Sequence, residues 1–206
     1  MWDRNRAESY PLHRRDVVEH LIKDMDDLLI VAGLGAPAWD TTAAGDRDLI
    51  YPLWGAMGGT AMIGLGLALS QPERRVLVIT GDGDMLMGMG SLATIALQRP
   101  SNLSIVVLDN ERYGETGMQA THTAGPVDLA AVAHSCGFEQ AATLYDEEEF
   151  DHATPTILEG EGPLFFVIKI RAEDPPLVLP PRDGAHLKDR FRMALLGSEK
   201  GVNPAA

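Results

Sequence analysis

The run R-V-L-V-I-T-G-D-G-D-M-L-M-G-M-G-S-L-A-T-I-A-L-Q, Arg75 to Gln98, decides how the rest of the chain is read. Arg75 to Thr80 is a continuous apolar, β-branched stretch of strand length. Gly81-Asp82-Gly83-Asp84 reads as a tight glycine turn, and the Met, Leu and Ala-rich stretch to Gln98 as a helix. Arg99-Pro100-Ser101 stops that helix, Leu103 to Leu108 is a second apolar strand, and Asp109-Asn110 ends it. Strand, helix and strand in this order predict a right-handed βαβ unit with parallel strands.

The alternation extends in both directions. Upstream, Arg14 to Met25 carries Val17, Val18, Leu21, Ile22 and Met25 at helical spacing, and Leu28 to Ala32 is a short buried strand. Gly33 to Trp39 reads as a glycine and proline loop and Thr41 to Asp48 as a polar surface connection. Ile50 to Trp54 is a short strand, and Gly58 to Leu69 a helix buried against the sheet. Downstream, Val127 to Cys136 is helical up to Gly137, Glu139 to Leu144 a strand, Asp146 to Leu158 a helix that Pro155 can cut short, and Pro163 to Ile170 a strong buried strand. Ala172 to Pro181 is extended, and His186 to Leu196 is a last amphipathic helix. The fold class is therefore α/β, a central parallel sheet of about six strands with helices on both faces and its ligand crevice at the carboxyl ends of the strands. Residues 1–197 read as one domain and Ser198 to Ala206 as a mobile tail.

Composition bounds the function. The chain has 206 residues, 45 % hydrophobic and 23 % charged, which suits a globular domain. Seventeen Lys plus Arg against thirty Asp plus Glu give a formal charge of −13, which disfavours nucleic acid and anionic membrane surfaces as partners. Cys136 is the only cysteine, so an intrachain disulfide framework, a cysteine-rich zinc site and a four-cysteine iron–sulfur cluster are excluded, and a reducing cytoplasm fits. Met1 to Tyr10 is polar, and the longest largely apolar stretch, Met57 to Leu69, is broken by glycines; neither reads as a signal peptide or a membrane span.

Asp82 and Asn110 each follow a predicted strand, so two neighbouring strands bring their side-chain oxygens to one place. That donor set suits a hard cation such as Mg²⁺, which takes one or two carboxylates and fills its octahedron with phosphate oxygens and water. The helix after Gly83 would aim free N–H groups at a diphosphate there. Gly33 to Ala38 and Gly88 to Ala93 both satisfy G-x-G-x-x-A, but the first holds Pro37 and the second lies within a predicted helix, so a dinucleotide site is discounted. His13, His20, His134, His152 and His186 show no metal-ligand spacing.

Gly81-Asp82-Gly83, twenty-six residues and then Asn110 resembles the diphosphate-binding motif of thiamine-diphosphate-dependent enzymes. The resemblance implies that Asp82, Asn110 and the backbone carbonyl of Arg112 hold Mg²⁺. It also implies that Gly81, Gly83, Asp84, Met85, Tyr113 and Gly114 line the cofactor. The family usually has two Asn where this chain has Asp109-Asn110, and the second is the ligand. Tyr51 to Leu69 (Y-P-L-W-G-A-M-G-G-T-A-M-I-G-L-G-L-A-L) is similar to the segment that holds the aminopyrimidine ring. There Gly55 would accept from the 4′-amino group through its carbonyl, Ala56 would lie alongside, and Met57 would bend the cofactor.

G-D-G-D-M-L-M-G-M-G-S-L-A-T-I-A and L-D-N-E-R-Y-G-E-T-G-M-Q-A-T-H-T resemble, within that family, the small β subunits of sulfopyruvate decarboxylases and the matching domain of phosphonopyruvate decarboxylases. This implies decarboxylation of a small 2-oxo acid, with Glu115 and Thr116 beside the reacting carbon and His122 as a proton donor. A phosphonopyruvate decarboxylase, an acetolactate-synthase-like carboligase subunit and a non-catalytic cofactor-binding module stay open as alternatives. Family members draw a catalytic glutamate from a separate pyrimidine-binding domain, for which no segment is left over here. The resemblance thus implies an α subunit or pyrimidine-domain chain as partner, in a hetero-oligomer.

Overall fold

A computed structural model describes residues 5–197 and 201, so the tail expected over 198–206 lies outside the described residues save one. In chain order the regular elements begin with α1 (Arg14–Ile22), β1 (Leu29–Ala32), α2 (Ala36–Ala43), β2 (Ile50–Pro52), α3 (Thr60–Ser70) and β3 (Val76–Gly81). Next come α4 (Asp82–Met87), α5 (Ser91–Gln98), β4 (Leu103–Asp109), and a small antiparallel pair, β5 (Arg112–Tyr113) with β6 (Gln119–Ala120). The series ends with α6 (Leu129–Cys136), β7 (Gln140–Leu144), α7 (Glu147–Glu159), β8 (Leu164–Lys169) and α8 (Gly184–Leu196).

Six strands form one wholly parallel sheet in the order β2-β1-β3-β4-β8-β7. Strand residues alternate between two cores, which is why each strand reads as an unbroken apolar run. Val31, Val78, Ile105 and Val107 pack with α3, α5 and α6 on one face. Ile30, Leu77, Val106 and Ile168 pack with α1 and α7 on the other. The strand order reverses between β1 and β3, so the crevice of such a sheet falls at their carboxyl ends. Among the described residues no helix is long and apolar enough to cross a membrane.

The structure corrects four expectations. The loop expected over Gly33 to Trp39, with the connection after it, contains α2, whose first turn holds Pro37 where a missing N–H is harmless. The G-x-G-x-x-A of Gly33 to Ala38 thus does join a strand to a helix, and what still discounts it is the lack of an acidic residue about twenty positions on, after a second strand. The turn expected at Gly81 to Asp84 is instead the end of β3 and the first turn of α4. The helix expected to run on to Gln98 breaks at Gly88–Gly90, where Gly88 lies against the backbone of Gly58. Pro155 does not cut α7 short: it sits on the solvent face, where water can serve the carbonyl it leaves unpaired.

Arg75, at the foot of β3, fastens α7 to the sheet. Its guanidinium donates to the carbonyls of Gly160 (2.6 Å) and Ile157 (2.7 Å) and to the Ser104 hydroxyl. Burial lowers its pKa, so the side chain is held by these acceptors rather than by water. Arg75→Met is expected to destabilise the chain by about 2 kcal/mol, a fall of roughly 4–8 °C in thermal midpoint by calorimetry.

Candidate functional site

Parallel pairing of β3 with β4 sets Gly81 opposite Leu108. The next residues, Asp82 and Asp109, are therefore neighbours at the carboxyl edge, with Asn110 one step on. Asp82 is 2 % exposed, and among the described residues it has no ion pair. The Thr123 hydroxyl lies 3.3 Å from its Oδ2 and 2.7 Å from Asp109 Oδ1; with one proton to give, it favours the shorter contact. Burial, and then the Asp109 carboxylate, push the Asp82 pKa well above the usual carboxylate range. A carboxylate so placed is short of a positive charge. The half-buried Asn110 accepts the Arg112 N–H through Oδ1 at 3.0 Å, which leaves that oxygen a second lone pair.

Among the described residues no three His, Cys, Asp or Glu side chains converge as metal ligands. A cation beside Asp82 would have to draw on one carboxylate, an amide oxygen, backbone oxygen and phosphate or water. That is the habit of Mg²⁺ rather than of Zn²⁺. The residues present fit the cation expected from the sequence.

The glycines shape the space next to it. A Cβ on Gly83 would stand 2.8 Å from the Tyr113 ring and 3.4 Å from Met57 Cε, so Met57, Gly83 and Tyr113 meet across three segments. Ala56 (φ 61) and Gly58 (φ 88) are both left-handed, and Gly55, Ala56 and Met57 are exposed at this edge. Gly55 and Gly81 face open space. Asp84 turns inward instead: its carboxylate accepts the Gly58 N–H and the Thr80 hydroxyl, both in short contacts, and so ties the Met57 loop to α4. This tie engages the Asp84 side chain, so a place for Asp84 in lining the cofactor would fall to its backbone. Met85 is likewise buried in the core.

Beyond Asn110 lies a charged cluster that was not among the expectations from the sequence. Glu111 is fully buried at φ 59, a conformation that disfavours a side chain by of order 1–3 kcal/mol. Arg6 Nε donates to its Oε1 (2.9 Å) and Oε2 (3.0 Å), and the Tyr10 hydroxyl (2.8 Å) and Lys169 Nζ (2.8 Å) to Oε1. Lys169 Nζ also donates to Asp109 Oδ2 at 2.8 Å. Burial works to lower the Lys169 pKa, but Asp109 and Glu111 outweigh it and leave it raised. Burial works to raise that of Glu111, and Arg6 and Lys169 overcome it. A cavity of about 200 Å³ opens beside Arg6, Asp109, Thr123 and Lys169. A larger one, about 260 Å³, lies between α3 and α8 among Val31, Ile63, Leu67 and Phe191, away from this chemistry. A lysine inside the apolar P-L-F-F-V-I-K-I was the signal available, since such a residue needs buried carboxylates.

The residues expected on the substrate side are dispersed. The Glu115 carboxylate is seated on the left-handed Gly35, where a Cβ would lie 2.9 Å from its Oε1, and so reaches the β1 end of the crevice. Burial raises its pKa, with Arg14 opposing. Thr116 is exposed and bonds Gln119 within the β5–β6 connection, Oγ1 to Oε1 at 2.9 Å. Gly114 is exposed in the same turn, and His122 is exposed on a separate 3-10 turn.

Residues 38–168 match the family described as thiamine pyrophosphate enzyme, C-terminal TPP binding domain, and the chain belongs to that family. Among its relatives, subunit beta of sulfopyruvate decarboxylase from Methanothermobacter thermautotrophicus is 37 % identical over 91 % of this chain and 97 % of that protein. Phosphonopyruvate decarboxylase from Streptomyces viridochromogenes is also 37 % identical, over 75 % of this chain and 38 % of that protein. The crystal structure of benzoylformate decarboxylase from Polynucleobacter necessarius superposes with a TM-score of 0.67 at 20 % identity, covering 81 % of this chain and 34 % of that one, and shares the fold.

Proposed function

We propose that this chain is the cofactor-binding subunit of a thiamine-diphosphate-dependent decarboxylase, converting sulfopyruvate to sulfoacetaldehyde and CO2. The observation that carries the reading is the likeness over nearly the whole of a separately encoded β subunit. The equally identical phosphonopyruvate enzyme is matched over little more than a third of its length, as is a longer sulfopyruvate decarboxylase, so the preference for sulfopyruvate rests on the match to the separate β subunit.

Asp82, Asn110 and the Arg112 carbonyl would hold Mg²⁺, with Gly81, Gly83 and Gly114 leaving room for the diphosphate. Gly55, Ala56, Met57 and Tyr113 would orient the ring system. Thiamine diphosphate, when bound, supplies the sink for the electron pair released as the carbon–carbon bond to the carboxylate breaks. Among the described residues Asp82 meets the hydroxyls of Thr121 and Thr123 but forms no ion pair, which supports its assignment. Glu115 and Thr116 would border the substrate, and His122 or Glu115 would hold or deliver the proton that takes the place of CO2. An α subunit or pyrimidine-domain chain would supply the glutamate that faces the cofactor's pyrimidine ring, in a cytoplasmic hetero-oligomer.

The test is aldehyde release from sulfopyruvate, phosphonopyruvate and pyruvate with thiamine diphosphate and Mg²⁺, using this chain alone and with a pyrimidine-domain partner. Turnover is expected only for the pair, fastest with sulfopyruvate. Normal turnover by the chain alone would sink the split-site reading. Cofactor binding without turnover of any acid would sink the decarboxylase.

A further inference from the structure

We infer that Lys169 is a positioning residue of the metal-binding loop: its ammonium fastens Asp109 and Glu111, the two residues that flank Asn110, and so sets Asn110 against Asp82. The inference rests on the site reading proposed above, and it names a residue that touches neither cation nor cofactor.

Three observations carry it. First, Lys169 stands directly opposite Asp109 in the β4–β8 register, so the contact is fixed by the sheet rather than by a loop. The amide of the next residue, Ile170, donates to the Asp109 carbonyl at 3.1 Å, which extends the pairing to the last residue before Asn110. Second, one nitrogen spans both flanks, 2.8 Å to Asp109 Oδ2 and 2.8 Å to Glu111 Oε1. Glu111 keeps its left-handed backbone while Arg6, Tyr10 and Lys169 all hold its carboxylate and its own carbonyl accepts the Thr121 N–H at 3.0 Å. The chain direction on leaving Asn110 is therefore set by this grip together with the Glu111 N–H bond to Asp109 Oδ1 at 3.0 Å. Third, the charges sort themselves. Lys169 and Arg6 answer Asp109 and Glu111, whereas the buried Asp82 beside them, where the cation is needed, has no ion pair among the described residues.

A bland reading competes with this, in which Lys169 merely neutralises a buried Asp109. The two differ over the variant that removes both charges. Asp109→Asn combined with Lys169→Met leaves no orphaned charge in that pair and should fold, yet it frees Glu111 from β8. If Lys169 only neutralises Asp109, this variant keeps the Mg²⁺ affinity of the parent. If Lys169 positions the loop, it does not.

The experiment is calorimetric titration of Mg²⁺ into the full-length chain with thiamine diphosphate present, together with thermal unfolding of each protein without cofactor. The parent chain is measured first; absence of Mg²⁺-dependent binding there overturns the site reading, and this inference with it. In the double variant the Mg²⁺ concentration for half-saturation is expected to rise about tenfold or more, as for other residues that orient metal ligands, with full binding regained at excess Mg²⁺. Its thermal midpoint is expected to stay within a few degrees of the parent. Asp109→Asn alone, which keeps Lys169 on Glu111, is expected to shift half-saturation by less than about threefold. Lys169→Gln gives a second reading of the same effect, and the double variant decides if Lys169→Gln does not fold. Parent-like half-saturation in the folded double variant overturns the inference. So does a binding loss that excess Mg²⁺ does not restore, which would mark a structural lesion.

Discussion

Asp82→Ala is expected to abolish Mg²⁺-dependent binding of thiamine diphosphate and to leave the cofactor-free chain at least as stable as its parent. The two halves of that expectation have one cause. Asp82 is buried at the edge of the sheet without an ion pair among the described residues, beside a second carboxylate, and burial holds its pKa well above the usual range. Alanine removes a charge that the empty fold tolerates poorly and opens only a small space. On the proposed reading the same carboxylate would be the charged ligand of the cation. A ligand at a hundred times its dissociation constant stabilises a folded chain by about 2.7 kcal/mol. For a domain of this size that is a rise of roughly 5–11 °C in thermal midpoint. The parent should show this rise on adding Mg²⁺ and thiamine diphosphate together, and Asp82→Ala should show none. A variant that still responds would remove Asp82 from the ligand set.

Gly88→Ala is expected to be the most damaging single methyl in the molecule. A Cβ there would stand 2.1 Å from the Gly58 carbonyl oxygen and 2.9 Å from its carbonyl carbon. Both obstacles are backbone, so no rotamer change relieves them. Gly58 cannot retreat freely, because its N–H is held by Asp84 and its φ of 88° suits only glycine. Overpacking of this kind destabilises by about 3 kcal/mol, a fall of roughly 6–12 °C. Since Met57 precedes Gly58, the surviving protein should also bind thiamine diphosphate more weakly. Thermal unfolding and calorimetry read the two effects separately. An unchanged midpoint would mean that these two backbones do not touch.

Much of this architecture was legible in the amino-acid sequence because burial on both faces leaves an unmistakable mark. Leu29–Ala32, Val76–Thr80 and Leu103–Leu108 are continuous apolar runs, and Gly137 closes α6 in the left-handed conformation that its place after Cys136 suggests. The placing of Asp82 and Asn110 at the ends of neighbouring strands was legible for the same reason, since both follow such runs. What escaped was decided by contacts distant in sequence. Gly88 reads as an ordinary helical residue until Gly58 is set against it. Asp84 belongs to the same motif as Asp82, yet the position of the Met57 loop turns its carboxylate inward. The grip on Glu111 joins residues 58, 101 and 105 positions away. It depends on β8 lying between β4 and β7, a strand order that local sequence does not specify.

That strand order has a consequence for the nascent chain. By the time Asp109 leaves the ribosome, β2, β1, β3 and β4 can already pair, and the apolar margin of β4 is then an open edge. Its proper neighbour, β8, is not made until Lys169, and β7 emerges first without a place of its own against β4. Through that interval the half-built sheet presents the kind of unpaired edge that recruits other chains into aggregates. The insertion of β8 both closes that edge and delivers Lys169 to Asp109 and Glu111, so the loop around Asn110 gains its grip only in the step that makes the sheet safe from its neighbours.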